Sequence, residues 1–168
     1  MKFTKLLLAN SYLDHRGSLT KFIDLGTKHF KKEIHQINLS KNLKKGTLRG
    51  LHFQSDGESK IVKCVSGKIF DVVVDCRLES KNFGKVEYFQ LSENDDSYLL
   101  IPPFCAHGFQ SLTDGAEIIY LHNKVYSERK QLGVNAFDPD LGINWPLKVN
   151  CISSRDLNLP QLKNLHNV

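Results

Sequence analysis

The chain has 168 residues, 40% hydrophobic and 24% charged, a composition that fits one globular domain with a real core and argues against disorder. Its formal net charge is +5, but the cations form only short pairs such as Lys31-Lys32 and Lys44-Lys45, so the excess fits a phosphorylated small molecule as well as nucleic acid. The apolar start Leu6-Leu7-Leu8-Ala9 is too short for a signal peptide and nothing approaches a membrane span, so the expected location is the cytoplasm, with no membrane partner.

In chain order, short β-like runs alternate with turn signals. Lys60 to Val65 reads as a strand, followed by a tight turn at Ser66-Gly67. Lys68 to Cys76 (KIFDVVVDC) is rich in β-branched residues and reads as a second strand. Lys85 to Leu91 alternates until the polar residues Glu93 to Ser97 interrupt it. Tyr98 to Ile101 is a further strand, stopped by Pro102-Pro103. Asp114-Gly115 is a hairpin signal between Ala106 to Thr113 and Ala116 to Tyr126. The region Ser127 to Leu147 is expected to be loop-rich, and Leu157 to Leu165 to hold a short helical turn. This spacing predicts an all-β sandwich or barrel in one domain spanning 1–168. Of the four cysteines, Cys64, Cys76 and Cys105 sit in or beside apolar runs, and none forms a C-x-x-C pair; all are read as reduced thiols.

Two histidines carry potential chemistry. In Arg49-Gly50-Leu51-His52-Phe53-Gln54, strand period two predicts Gly50, His52 and Gln54 on one face and Arg49, Leu51 and Phe53 on the other. His107 follows a proline turn in Pro102-Pro103-Phe104-Cys105-Ala106-His107-Gly108-Phe109. That is half of a cupin metal motif, but the other half needs His-x-His and a glutamate, where this chain has His52-Phe53-Gln54. One or two imidazoles cannot complete a metal site, so no catalytic metal and no cofactor is expected, and both rings are free for proton work.

The motifs Asp14-x-Arg16-Gly17, Gln36-x-Asn38-x-Ser40, Leu48 to Gln54 (LRGLHFQ), Ser80-x-x-Phe83-Gly84, Ala106-His107-Gly108-Phe109, Gly142-Ile143-x-Trp145-Pro146 and Ser154-Arg155-Asp156 occur in one order across nearly the whole chain. Together they resemble the dTDP-4-dehydrorhamnose 3,5-epimerase family. The resemblance implies a cupin-type jelly-roll barrel with short peripheral helices. It implies an epimerase that inverts carbon 3, carbon 5 or both of a nucleotide-diphosphate 4-keto-6-deoxy sugar through an enolate. His52 is then the base, Tyr120 the acid, Asp156 the partner that fixes the tautomer of His52, and Lys60 the cation near the ketone oxygen. Arg16, Gln36, Asn38, Arg49, His107, Tyr126 and Arg155 match substrate-binding positions. The resemblance also implies a homodimer with N-terminal strands exchanged, and a nucleotide-sugar rather than a nucleic-acid partner.

Lys21, Gln131 and Ala136 depart from the family's usual residues, as do Ile37 and Leu39, and these changes cluster where the nucleotide binds. A nucleotide-sugar ketoisomerase and a non-catalytic sugar-binding jelly roll are the rival readings. The first usually carries His-x-His at His52-Phe53-Gln54, and the second would have lost its base, acid or aspartate. The remaining histidines, His15, His29, His35, His122 and His166, match no catalytic position and are read as surface residues.

Overall fold

The computed structural model describes residues 2–23 and 33–167, with backbone alone at 166 and 167; His29, Lys31-Lys32 and the side chain of His166 therefore lie outside the described residues. Two five-stranded antiparallel sheets face each other. The first runs in the order β1 (Lys5–Leu8), β9 (Ser97–Ile101), β6 (Lys60–Ser66), β11 (Ala116–His122), β4 (Gln36–Asn42). The second runs β12 (Gln131–Gly133), β5 (Leu48–Gln54), β10 (Cys105–Ser111), β7 (Lys68–Asp75), β8 (Val86–Ser92). A separate ribbon pairs β2 (Asn10–Asp14) with β3 (Gly17–Lys21). Among the described residues helix is limited to α1 (Ser154–Leu157) and two 3-10 turns, Glu128–Lys130 and Leu162–Asn167. Among the described residues no helix is long and apolar enough to cross a membrane.

From β4 to β7 each successive strand lies in the opposite sheet, and the same alternation recurs from β8 to β11. This is a jelly roll, as expected. It corrects the reading of Asp114-Gly115 as a hairpin turn. β10 belongs to the second sheet and β11 to the first, so the turn is an arch between sheets. Its anchors lie on another segment: Lys45 N–H donates to Asp114 Oδ1 at 2.8 Å, and Gly115 N–H donates to the Leu43 carbonyl at 3.3 Å. The chain reverses where the residues say it does, but the partner strand is set by packing.

The near-continuous apolar run of β7 follows from burial on both faces. Ile69 and Val73 point between the sheets, where they join Val62, Leu99, Phe109 and Ile118. Val72 and Val74 point outward, into a second cluster closed by Leu141, Leu162 and Leu165 from the C-terminal segment. Fully burying such side chains is worth about 1.5–3 kcal/mol each. The C-terminal segment is thus held on the outer face of the second sheet, which delivers α1 to the edge of β5.

A bulge between β5 and β10 decides what the barrel mouth contains. His52 pairs with His107, yet Phe109 pairs with Arg49, so Gly50 and Leu51 together oppose Gly108. The extra residue reverses the alternation. Leu48, Leu51 and Phe53 face the outer core, whereas Arg49 and His52 line the same cavity. The strict period-two expectation for Arg49 is therefore overturned. Glycine makes the bulge possible: Gly50 has φ +115°, and a Cβ there would sit 2.6 Å from Gly108 Cα and 2.7 Å from the His107 carbonyl oxygen. Gly50→Ala is expected to destabilise the fold by about 3 kcal/mol or more, combining backbone strain with overpacking. A lowered urea midpoint with an unchanged m-value checks this.

Candidate active site

One end of the barrel interior is apolar and the other is polar. The polar end opens into a cavity of about 920 Å³. Strand geometry explains its lining. On β11, Ile118 packs in the core, while Tyr120 and His122, two and four residues further on, reach the cavity. On β4, paired with β11, Gln36 and Asn38 face it. Arg49 and His52 come from β5, Lys60 from β6 and His107 from β10. Tyr126 and Arg155 stand at the rim and meet each other, Arg155 Nη1 donating to the Tyr126 hydroxyl at 3.2 Å. Arg16 is the exception among the residues singled out from the sequence. It sits at the β2–β3 turn, is 78% exposed, and pairs with Asp14 at 2.6 Å, away from the cavity lining.

His52 and Asp156 are 104 residues apart in sequence, and Nε2 of the one lies 2.9 Å from Oδ1 of the other. The other oxygen of Asp156 accepts the Gly50 N–H at 2.9 Å, so the bulge glycine also anchors the carboxylate. The Ser153 hydroxyl accepts the Asp156 N–H and caps α1, which fixes the carboxylate on its first turn. Burial raises the Asp156 carboxyl, but the hydrogen bonds from His52 and Gly50 outweigh it and hold the group below its ordinary value. Asp156 is therefore a carboxylate, and its acceptor oxygen puts a proton on Nε2 of His52, leaving the lone pair on Nδ1.

His107 has the same kind of partner. Its Nε2 lies 2.8 Å from Asp71 Oδ2, both side chains being almost wholly enclosed. Complete burial raises the Asp71 carboxyl, against the opposing pull of His107. Asp71 is the lone charge inside the apolar run of β7, and that was the available sign that it has a buried partner. Tyr120 packs edge-on to His107 with ring centroids 6.0 Å apart. Burial, then the nearby Asp71 charge, push its phenol well above the ordinary value, so it keeps its proton and can act as a donor.

A third pair was not anticipated. His122, expected on the surface, is buried on the inner face of β11, and its Nδ1 lies 2.7 Å from Glu58 Oε1. Period two from Tyr120 was the signal for His122, whereas Glu58 lies in the loop before β6, where no periodicity marks it. Lys60, which as a strand lysine could have been solvated, is also buried, with Nζ 3.3 Å from Glu58 Oε2 and 3.3 Å from the His52 carbonyl oxygen. Each cavity imidazole thus has its own carboxylate. Among the described residues no three His, Cys, Asp or Glu side chains gather as a ligand set for a metal ion.

The fold is thus a jelly roll whose polar cavity gathers three carboxylate-paired histidines and the cations Arg49 and Lys60, the class of site found in a small-molecule enzyme. A model of the dTDP-4-dehydrorhamnose 3,5-epimerase family matches residues 5–164, and the chain belongs to that family. It is an isomerase, an epimerase of nucleotide-linked 4-keto-6-deoxy sugars at carbon 3, carbon 5 or both. It is 42% identical over 130 residues to the dTDP-4-dehydrorhamnose 3,5-epimerase of Shigella flexneri, covering 76% of this chain and 71% of that one. The crystal structure of the enzyme of that name from Bacillus anthracis, with TDP and pyrophosphate bound, superposes with a TM-score of 0.89 at 32% identity, covering 95% of this chain and 94% of the other. ChmJ, a 3'-monoepimerase from Streptomyces bikiniensis in complex with dTDP-quinovose, superposes with a TM-score of 0.90 at 30% identity, covering 98% and 86%.

The Glu58 cluster has a consequence for acid stability. Burial raises this carboxyl, but the His122 hydrogen bond and the Lys60 charge prevail and hold it at about 2, against an ordinary 4.5. A depressed carboxyl contributes stability that is complete above the unfolded-state value and is lost as pH falls through the folded-state value. The contribution from Glu58 should therefore fade between pH 4.5 and about 2. Glu58→Gln is expected to flatten the fall of the urea midpoint across that window, which equilibrium unfolding at several pH values measures.

Proposed function

We propose that the chain inverts carbons next to the ketone of a dTDP-linked 4-keto-6-deoxy sugar, with His52 as base and Tyr120 as acid. The reading rests on one observation: His52, hydrogen-bonded to Asp156, and the half-buried phenol of Tyr120 line the same cavity. Nδ1 of His52 takes a proton from carbon 3 or 5. The electrons pass into the carbon 4 ketone and form an enolate, whose oxygen is stabilised by the Lys60 ammonium. Tyr120 returns a proton from the opposite face, and inversion results. Arg49 and Arg155 supply charge for the diphosphate, with Gln36, Asn38, His107 and Tyr126 around sugar and base. The Bacillus anthracis and Streptomyces bikiniensis enzymes, solved with TDP and with a dTDP-sugar bound, support thymine as the base. The paired base and its aspartate favour catalysis over a merely sugar-binding jelly roll.

His52→Ala should abolish both epimerisation and solvent deuterium uptake, a loss of about 10²- to 10⁴-fold for a missing general base. Tyr120→Phe should still exchange deuterium, because His52 can return a proton to the face it came from, but without inversion. Asp156→Asn should fall between the two, since it disturbs the tautomer without removing the ring. NMR of a dTDP-4-keto sugar in deuterated water reads configuration and label together. Full epimerisation by His52→Ala refutes the mechanism.

We also infer a cytoplasmic homodimer of one domain spanning residues 1–168, in which the N-terminal ribbon of each protomer reaches its partner. The β2–β3 ribbon pairs with neither main sheet and exposes Tyr12, Leu13 and Leu19. β4 is a sheet edge that exposes Ile37 and Leu39, an apolar border suited to another strand. Exchange would bring Arg16 to the partner's cavity. Arg16→Ala should then raise KM about 10-fold or more with kcat little changed, as loss of a charged hydrogen bond to substrate predicts. An unchanged KM, or a monomer by light scattering, would contradict the exchange.

A further inference from the structure

The cavity wall contains a hydrogen-bond chain whose direction can be read without ambiguity. It begins at the Tyr126 backbone N–H, which can only donate, and meets Gln36 Oε1 at 2.7 Å. The Gln36 amide is thereby oriented, and its Nε2 donates to Asn38 Oδ1 at 2.9 Å. Asn38 must then present Nδ2 to His122, whose Nε2 lies 3.4 Å away and accepts. The His122 proton is therefore on Nδ1, where it donates to Glu58 Oε1 at 2.7 Å. A second arm converges on the same carboxylate: Ser127 N–H donates to Gln54 Oε1 at 2.9 Å, and Gln54 Nε2 donates to Glu58 Oε1 at 3.2 Å. Two arms thus load one oxygen of Glu58, and the other oxygen is left for Lys60 Nζ at 3.3 Å.

We propose that Glu58 is a positioning residue for Lys60, holding its ammonium against the His52 carbonyl at the end of this oriented chain. The proposal rests on the assignment of Lys60 to the enolate oxygen. A lysine side chain has four rotatable carbon–carbon bonds, and a cation that must meet charge developing on one atom gains from being fixed in advance. The other buried carboxylate near Lys60, that of Asp71, is committed to His107. The His122 ring passes the direction set by Tyr126 N–H on to the carboxylate, and stacking on Tyr120 with centroids 5.8 Å apart holds that ring in plane.

The test is a double-mutant cycle on kcat and KM with a dTDP-4-keto-6-deoxy sugar, using Glu58→Gln, Lys60→Ala and the double variant. Glu58→Gln should lower kcat about tenfold with KM within about twofold, because an interaction made only in the transition state is lost. Lys60→Ala should lower kcat further, and the double variant should be no worse than Lys60→Ala, since Glu58 would have nothing left to position. His122→Leu, which unloads Glu58 without removing its charge, should lower kcat and likewise add nothing to Lys60→Ala, whereas His122→Gln, which keeps a donor, should retain more activity. This pair keeps the test decisive should Glu58→Gln fail to fold. Losses that multiply in the double variants, a KM effect with intact kcat, or wild-type kcat in Glu58→Gln would overturn the proposal. Wild-type kcat in Lys60→Ala would instead remove the role of Lys60 itself, and this proposal with it.

Discussion

The close approach of β5 and β10 at Gly50 and Gly108 is the constraint on which the site depends. Only residues without a Cβ allow those backbones to lie so near, and the bulge formed there inserts one residue into β5. Three results follow from the one insertion. Arg49 joins His52 on the cavity side, Leu48 and Leu51 stay together on the apolar side, and the freed Gly50 N–H finds Asp156. A regular strand would place Arg49 against the outer core, where an unpaired guanidinium is costly to bury.

The second organising fact is how the polar end of the barrel is neutralised. Lysine, histidine and carboxylate side chains are buried there beside an apolar core, an arrangement that holds only when each charge has a partner. The pairs His52–Asp156, His107–Asp71 and His122–Glu58 differ in how deeply they sit. His52 is the most open of the three, while the His107–Asp71 pair is the most enclosed. That gradient of exposure runs across one cavity.

Much of this was legible in the residues, and the failures have physical causes. Short apolar or alternating runs bounded by turn signals located β6, β7, β8, β9 and β10 within a residue or two. The turns at Ser66-Gly67 and Asp114-Gly115 were visible, but a turn signal is local and does not say which sheet the next strand enters. The face of Arg49 is not legible in its own segment, because a bulge is a relation between two strands. The burial of His122 is not legible locally, because a single imidazole in a strand has no signature apart from its register with Tyr120. The N-terminal strands β1 to β4 were not read as strands, since their alternation is weak and much of their surface is exposed. The closeness of His52 and Asp156 came from family resemblance, because no local pattern links residues a hundred positions apart.

That separation bears on how the enzyme comes into being. A chain emerges from the ribosome in order, and both sheets can assemble once β12 is made. The segment that delivers Asp156 and seals the outer face of the second sheet with Leu162 and Leu165 emerges after that. In order of synthesis, every strand of both sheets therefore precedes the residue that orients His52, so the barrel's strands are complete before its His52–Asp156 pair can form.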